Sequence, residues 1–256
     1  MEIMHHIQCS AKDIGSYVFL PGDPARVKII ASYLENPHFV ASNREYTTYT
    51  GILAGTSVSV VSTGIGCPSA AIAMEELTKL GAHTFIRIGT CGCMNAVPSP
   101  GDSIIATAAI RRDGTSLQYL PLEFPAVADQ QVIQALMTAA KEMGVTAHTG
   151  IVESKDSYYG QHEPENSPIR KELLDKWEMF REGGAIGSEM ESSILFILGG
   201  IRRARVGTIL HVYRNRIQED ELHMPMQTSP DTSSTIKTAV RAMELLILQD
   251  KEVLHD

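Results

Sequence analysis

The sharpest change of pattern along the chain falls at residues 58–80. An apolar, β-branched run at 58–61 ends in Ser62-Thr63-Gly64-Ile65-Gly66-Cys67-Pro68-Ser69, and a helix-forming stretch follows with apolar positions at 72, 73, 77 and 80. That switch predicts a strand, a tight turn and a helix. Two glycines two apart let the backbone approach a ligand, Pro68 suits a first helical turn, and the amides near Ser69 can meet an anion or a sugar hydroxyl. The segment reads either as a binding turn or as a plain connection between core elements. A dinucleotide-binding turn is excluded, because the third glycine it needs would stand where the chain has Ser69.

Strand-like and helix-like patterns alternate for most of the length, which predicts an α/β fold with helices on both faces of a sheet. Residues 17–20 read as a buried strand, Pro21-Gly22-Asp23-Pro24 as a turn, and 25–33 as a helix capped by Asp23. Residues 46–53 and 57–62 form a hairpin turned at Ala54-Gly55, and 84–89 a strand that ends in Thr90-Cys91-Gly92-Cys93. Arg87 interrupts that apolar strand; a buried charge must be paired, so it either meets an internal carboxylate or faces a bound anion. Strands are expected at 102–111, 149–154 and 205–212, and helices at 130–143, 169–180 and 233–248. Residues 155–168, with Gly160, Pro164 and Pro168, read as a loop. Glu189-Met190-Glu191 is expected at the start of a helical run, where glutamates are ordinarily solvated and favoured by the helix dipole.

Composition narrows the function. With 256 residues and 43% hydrophobic content, and with no linker-like stretch, the chain is expected to be a single domain over 1–256. No apolar run reaches the roughly 20 residues that span a bilayer, and Met1-Glu2-Ile3-Met4-His5-His6 lacks signal-peptide regions, so a soluble, cytoplasmic protein without a membrane partner is expected. Cysteines 9, 67, 91 and 93 fit neither a disulfide framework nor a zinc site and read as reduced thiols. A net charge of −8 argues against a nucleic-acid backbone as partner, so any anion site must be local.

Taken together, Pro21-Gly22-Asp23-Pro24-x-Arg26, Arg44-Glu45-Tyr46, the central motif 62–77, Arg87-Ile88-Gly89-Thr90 and Glu189-Met190-Glu191 are similar, in type and order, to the motifs of the nucleoside phosphorylase family. That family contains hexameric purine nucleoside phosphorylases and uridine phosphorylases. Asp113-Gly114-Thr115-Ser116 and the run 121–129 resemble the uridine branch. The resemblance runs from about His6 to Leu246. It implies a single α/β domain with a mixed, partly barrel-like sheet flanked by helices. The reaction it implies is phosphorolysis of uridine to uracil and ribose 1-phosphate through an oxocarbenium-like transition state, in pyrimidine salvage. The purine enzymes use an aspartate after the last strand to protonate the base; residues 211–216 here contain none. The remaining alternatives are a purine nucleoside phosphorylase and a nucleoside-binding protein without catalysis, the latter having no use for a phosphate clamp.

By the same resemblance, phosphate is a co-substrate, no cofactor is used, and Gly22, Arg26, Arg44, Arg87 and Thr90 bind phosphate. Arg44 comes from a neighbouring subunit, so a homo-oligomer is implied, a hexamer built as a trimer of dimers. Glu189, Met190 and Glu191 hold the ribose, with His6 of the partner meeting the 5′ hydroxyl and His5 as its competitor. Glu45, Ile65 and Ser69 match positions that hold a monovalent cation, a structural potassium ion, between subunits. At the base, many uridine phosphorylases read Gly-Gln-x-Arg, whereas this chain reads Gly160-Gln161-His162-Glu163. Gln161 is kept and Glu163 replaces the arginine. Lys155 and His162 are expected to supply the missing positive charge as catalytic partners of Arg87 and Glu191, with Tyr158 stacked on the base. Alternatively, Lys155 pairs with Asp156 or Glu163 and His162 faces solvent.

Overall fold

Period-two alternation sorts the side chains of the central strands into two separate cores. In β1 (Tyr17–Pro21), Val18 and Leu20 join one apolar cluster while Tyr17 and Phe19 join the other; in β5 (Thr84–Cys93), Phe85 joins the first and Ile86 and Ile88 the second. The first cluster is closed by α2 (Cys67–Lys79) and α6 (Ser192–Arg202), the second by α1 (Pro24–Ala31), α3 (Gln130–Glu142) and α7 (Ser233–Val253). Arg87 therefore falls on the face of Phe85, toward α2 and α6.

The computed structural model describes residues 2–215, 217 and 231–253. The expected segment 211–216 ends in Arg216, which lies outside them. The remaining described elements are β2 (Glu35–Asn43), β3 (Tyr46–Leu53), β4 (Thr56–Val61), β6 (Ser103–Arg112), β7 (Ala126–Val127), β8 (Ala147–Lys155), β9 (Ala185–Glu189), β10 (Arg205–Asn215), α4 (Tyr158–His162) and α5 (Arg170–Glu182). All described strands belong to one mixed sheet. The order β10-β6-β8-β9-β5 closes on itself through a β10–β5 pairing, giving a five-stranded barrel, and β1-β4-β3-β2 continue outward from β5 as an arm. The expected mixed, partly barrel-like α/β architecture is observed.

Three local expectations are corrected. The exposed edge strand β2 had no sequence signal, because Glu35-Asn36-Pro37-His38 is polar and contains a proline. Among the described strands it pairs only with β3, with irregular register, and such an edge is where a sheet tolerates proline. Strand β9 was also unexpected; Ala185-Ile186-Gly187-Ser188-Glu189 has no apolar run. Glu189 thus ends a strand, and Glu191 is the N-cap residue of α6 rather than part of its first turn. Residues 155–168 are not wholly loop but carry α4 and a 3-10 turn at Pro164–Asn166. Ser157 starts α4 by accepting from the Gly160 amide at 3.0 Å. The hairpin turn came out as read, with Ala54 and Gly55 both at positive φ, 47° and 69°.

Candidate active site

The ends of β1, β4, β8 and β9, together with the middle of β5, converge on a cleft of about 860 Å³. Gly22, Arg26, Arg87 and Thr90 line one end; Met190, Glu189 and Glu191 line the middle; Lys155, Tyr158, Tyr159, His162, Ser188 and Tyr213 line the other end.

Arg87 is only 4% exposed. The pairing with internal carboxylates is observed. Its Nε donates to Glu189 Oε2 at 3.1 Å and its Nη2 pairs with Glu191 Oε2. Its Nη1 is buried and has no hydrogen-bond partner among the described residues. That nitrogen lies beside Gly22, where an added methyl group would approach it to 3.9 Å. An orphaned guanidinium donor at a glycine turn is a seat prepared for an anion. Burial alone would lower the arginine pKa, but the two carboxylates outweigh it and hold it above its ordinary value. Arg26, half-buried at the start of α1, makes no side-chain hydrogen bond among the described residues. Burial lowers its pKa, Asp23 pulls against that and repulsion from Arg87 adds to the lowering, so Arg26 and Nη1 of Arg87 bring positive charge to the same end of the cleft.

The two glutamates differ in what they do. Glu189 is saturated: it accepts from the amides of Glu191 at 2.9 Å and Ser192 at 3.0 Å, from Arg87, and from Ser154 Oγ. It caps α6 and braces Arg87. Glu191 accepts from the Gly66 amide at 2.5 Å, so the central turn, with Gly64 and Gly66 at φ of 70° and 93°, delivers its backbone to the site's carboxylate. Removal from water raises the Glu191 pKa, with Arg87 pulling against it.

At the far end, the Tyr158 and His162 rings lie tilted by 37° with centroids 4.2 Å apart, and the Tyr158 hydroxyl lies 3.3 Å from that of Tyr213. Lys155 pairs with neither Asp156 nor Glu163. Its Nζ donates to Ser188 Oγ at 2.8 Å; burial lowers its pKa, while Glu153, Glu189 and Glu191 pull it back up. Asp156 instead accepts from the Gly114 amide, and Glu163 is exposed and holds Asn166. The anion that replaced the arginine therefore points away from the cleft. Gln161 does not line the main cleft; it borders an adjoining cavity of about 430 Å³ and bonds Glu153 and Ser188.

Arg44 and His6 lie outside their own chain's cleft. Arg44 is exposed on the β2–β3 turn at φ 55°, and His6 is held by Glu76 at 2.7 Å. They are fastened to one surface, since Asn43 Nδ2 donates to the His6 carbonyl at 2.7 Å. Glu45, Ile65 and Ser69 come together at the cleft rim. Their oxygens, a carboxylate, a carbonyl and a hydroxyl, suit a hard cation.

Glu153, Ser188, Arg112 and Tyr213 were missed by sequence reasoning. Glu153 carried a usable signal, a carboxylate within the run Ile151-Val152-Glu153; Ser188 carried none.

The sequence model of the Phosphorylase superfamily matches residues 16–247. Among curated proteins, the chain is 50% identical to uridine phosphorylase of Treponema pallidum over 246 residues, 96% of this chain and 95% of that protein. It is 43% identical to uridine phosphorylase of Thermococcus kodakarensis, covering 85% of this chain and 79% of that protein, and 38% identical to that of Escherichia coli, covering 94% and 97%. Similarity of this extent, on a barrel whose buried arginine pairs with two carboxylates, places the chain in the phosphorylase superfamily.

Proposed function

We propose that the cleft catalyses the phosphorolysis of uridine to uracil and ribose 1-phosphate. The observation that carries this reading is Arg87, whose Nη1 lacks a partner while its other nitrogens hold the carboxylates beside the sugar position. Phosphate binds between Arg26, Arg87, Thr90 and the Gly22 amide, completed by Arg44 of a neighbouring subunit. Glu191 accepts from the ribose hydroxyls, Met190 packs on the sugar, and His6 of the neighbour meets the 5′ hydroxyl. A phosphate oxygen attacks C1′ as the C1′–N1 bond breaks; the electron pair of that bond leaves with the base as a uracil anion, which takes a proton from solvent. The flanking negative charge of phosphate and Glu191 stabilises the oxocarbenium-like sugar. Lys155, with His162 and Gln161, answers the charge growing on the base, and Tyr158 stacks on it. The uridine phosphorylase names of the relatives support this substrate.

The reading extends to a hexameric trimer of dimers, to a potassium ion held by Glu45, Ile65 and Ser69, and to cytoplasmic pyrimidine salvage. No described helix is long and apolar enough to cross a membrane. The test is a spectrophotometric assay of uridine, thymidine, 2′-deoxyuridine and inosine, each with and without phosphate. Uridine turnover that requires phosphate is expected. Preference for inosine would overturn the uridine reading in favour of a purine enzyme, and binding without turnover would leave a nucleoside-binding protein.

A further inference from the structure

Behind the base end of the cleft lies a buried polar cluster that the phosphate and ribose contacts do not use. Period two in β8 puts Glu153 and Lys155 on the same side of the strand. Glu153 is 0% exposed. Its Oε1 accepts from Arg112 Nη1 at 2.7 Å, and the Arg112 guanidinium lies over the Phe180 ring of α5, 5.5 Å from the centroid. Its Oε2 accepts from Ser188 Oγ at 2.9 Å and from Gln161 Nε2 at 3.2 Å. Ser188 Oγ in turn accepts from Lys155 Nζ at 2.8 Å.

Charge fixes the direction of these bonds. A carboxylate only accepts, so Gln161 must turn its amide nitrogen, not its carbonyl, toward Glu153. Ser188 owns one hydroxyl proton, within reach of Glu153 Oε2 at 2.9 Å and Gln161 Oε1 at 3.1 Å; the carboxylate is the stronger acceptor and takes it, which leaves the serine oxygen to receive Lys155. One buried carboxylate thus sets both the flip of Gln161 and the place of the Lys155 ammonium. Arg112 compensates its charge from the neighbouring strand, where it stands in register with Lys155.

On the reading of the cleft as a uridine phosphorylase, we propose that the Arg112–Glu153 ion pair is the positioning element of the base subsite. It orients Gln161 and, through Ser188, Lys155 to read the C(=O)–NH–C(=O) edge of a pyrimidine. Glu153 and Arg112 touch no substrate; they act through Gln161, Ser188 and Lys155. The pair does the work that a base-contacting arginine would do directly.

The test compares wild type with Glu153→Gln on uridine and on 3-methyluridine, which keeps both carbonyls but lacks the ring N–H. A carboxamide at 153 can donate or accept, so Gln161 is released to turn over. Loss of hydrogen bonds to a charged group predicts a fall in uridine kcat/KM of about 10–100-fold. The 3-methyluridine rate falls much less, the preference for uridine narrows, and the phosphate KM stays put. A variant that keeps the wild-type preference overturns the proposal, whether its rates are normal or fall together for both nucleosides with the phosphate KM rising. Should Glu153→Gln not fold, Ser188→Ala decides: it leaves the Arg112–Glu153 ion pair whole and cuts the serine's bonds to Lys155, Glu153 and Gln161. Its kcat is expected to drop at least about tenfold with the melting temperature and phosphate KM held, and an unchanged kcat overturns the proposal. Wild-type protein that releases no uracil from uridine in phosphate would sink the functional reading itself; an active wild type with unaltered variants sinks only the positioning role.

Discussion

Arg87 divides its three nitrogens among three tasks: Nε braces Glu189, Nη2 holds Glu191, and Nη1 points at the glycine turn. A lysine at this position keeps the charge but offers a single nitrogen, so it cannot serve both carboxylates and an anion at once. Arg87→Ala would strand two buried carboxylates, a loss of roughly 3–5 kcal/mol that confuses folding with function. Arg87→Lys is therefore the informative change. It is expected to melt as a folded protein while catalytic efficiency falls at least about a hundredfold, with the phosphate KM raised. Steady-state kinetics with phosphate varied checks this, and near-normal phosphate affinity would remove Arg87 from the phosphate seat. The residue was legible in the sequence because a charge interrupts Thr84-Phe85-Ile86-Arg87-Ile88. Glu153 carried the same signal, but it stands near the end of the expected strand 149–154, next to the polar stretch 155–168, where a carboxylate at a strand end is ordinary. Ser188 could not be read at all, since nothing about a serine in Ile186-Gly187-Ser188 announces that it joins a lysine, a glutamine and a glutamate from other elements.

Elements with strong periodicity were legible almost to their ends, because their pattern is the imprint of the core they face. The helix expected at 130–143 is α3 at Gln130–Glu142, opened by Asp129, which accepts from the Gln131 amide at 2.9 Å. Strands β2 and β9 were not legible, since one is an exposed edge and the other is short and satisfied by its neighbours. The closing helix was expected to stop at 248 yet runs to Val253, and a long-range contact explains the extra turn. Asp250 pairs with Arg205 of β10, accepting from Nη1 at 2.9 Å, and also accepts from the Tyr17 hydroxyl of β1 at 2.6 Å. Such a tie between the last helix and two strands is invisible to local pattern. Burial pulls the Asp250 carboxyl upward, but the bonds from Arg205 and Tyr17 outweigh it and hold the pKa below 3.8. A depressed folded-state pKa means stability that is present above the unfolded value and lost as pH falls through the folded one. Asp250→Asn is thus expected to lower the melting temperature near neutral pH by on the order of 5 °C. Melting curves taken toward lower pH should show the gap between variant and wild type closing once the pH drops below about 3.8. A gap that stays constant across that range would mean the carboxylate charge is not what holds the helix end.

At the scale of the whole molecule, one chain presents a cleft with an incomplete clamp and, on another surface, the parts that would complete a second one. Arg44 is exposed on the β2–β3 turn, and His6 is fixed against Glu76 and bonded through its carbonyl to Asn43, so the two side chains travel together. Neither lines its own cleft, whereas Glu45, the next residue after Arg44, does. On the proposed reading, that turn would run along the border between the chain's own site and a neighbour's. In a two-fold assembly, each site would be built from one subunit's Arg26, Arg87 and Glu191 and the other's Arg44 and His6. Two variants that are each inactive then become complementary: Arg44→Ala keeps a whole cleft but cannot finish its partner's, and Glu191→Gln can finish a partner's cleft but spoils its own. In a randomly reassembled equal mixture, half of the dimers pair one variant with the other, and each such dimer holds one intact site of two. Activity should therefore recover to about a quarter of the wild-type value. The check is to tag the two variants differently, co-express them, isolate doubly tagged oligomers and measure phosphate-dependent uracil release. Doubly tagged oligomers as inactive as either parent would show that Arg44 serves its own chain, and the assembly would then be no part of the catalytic site.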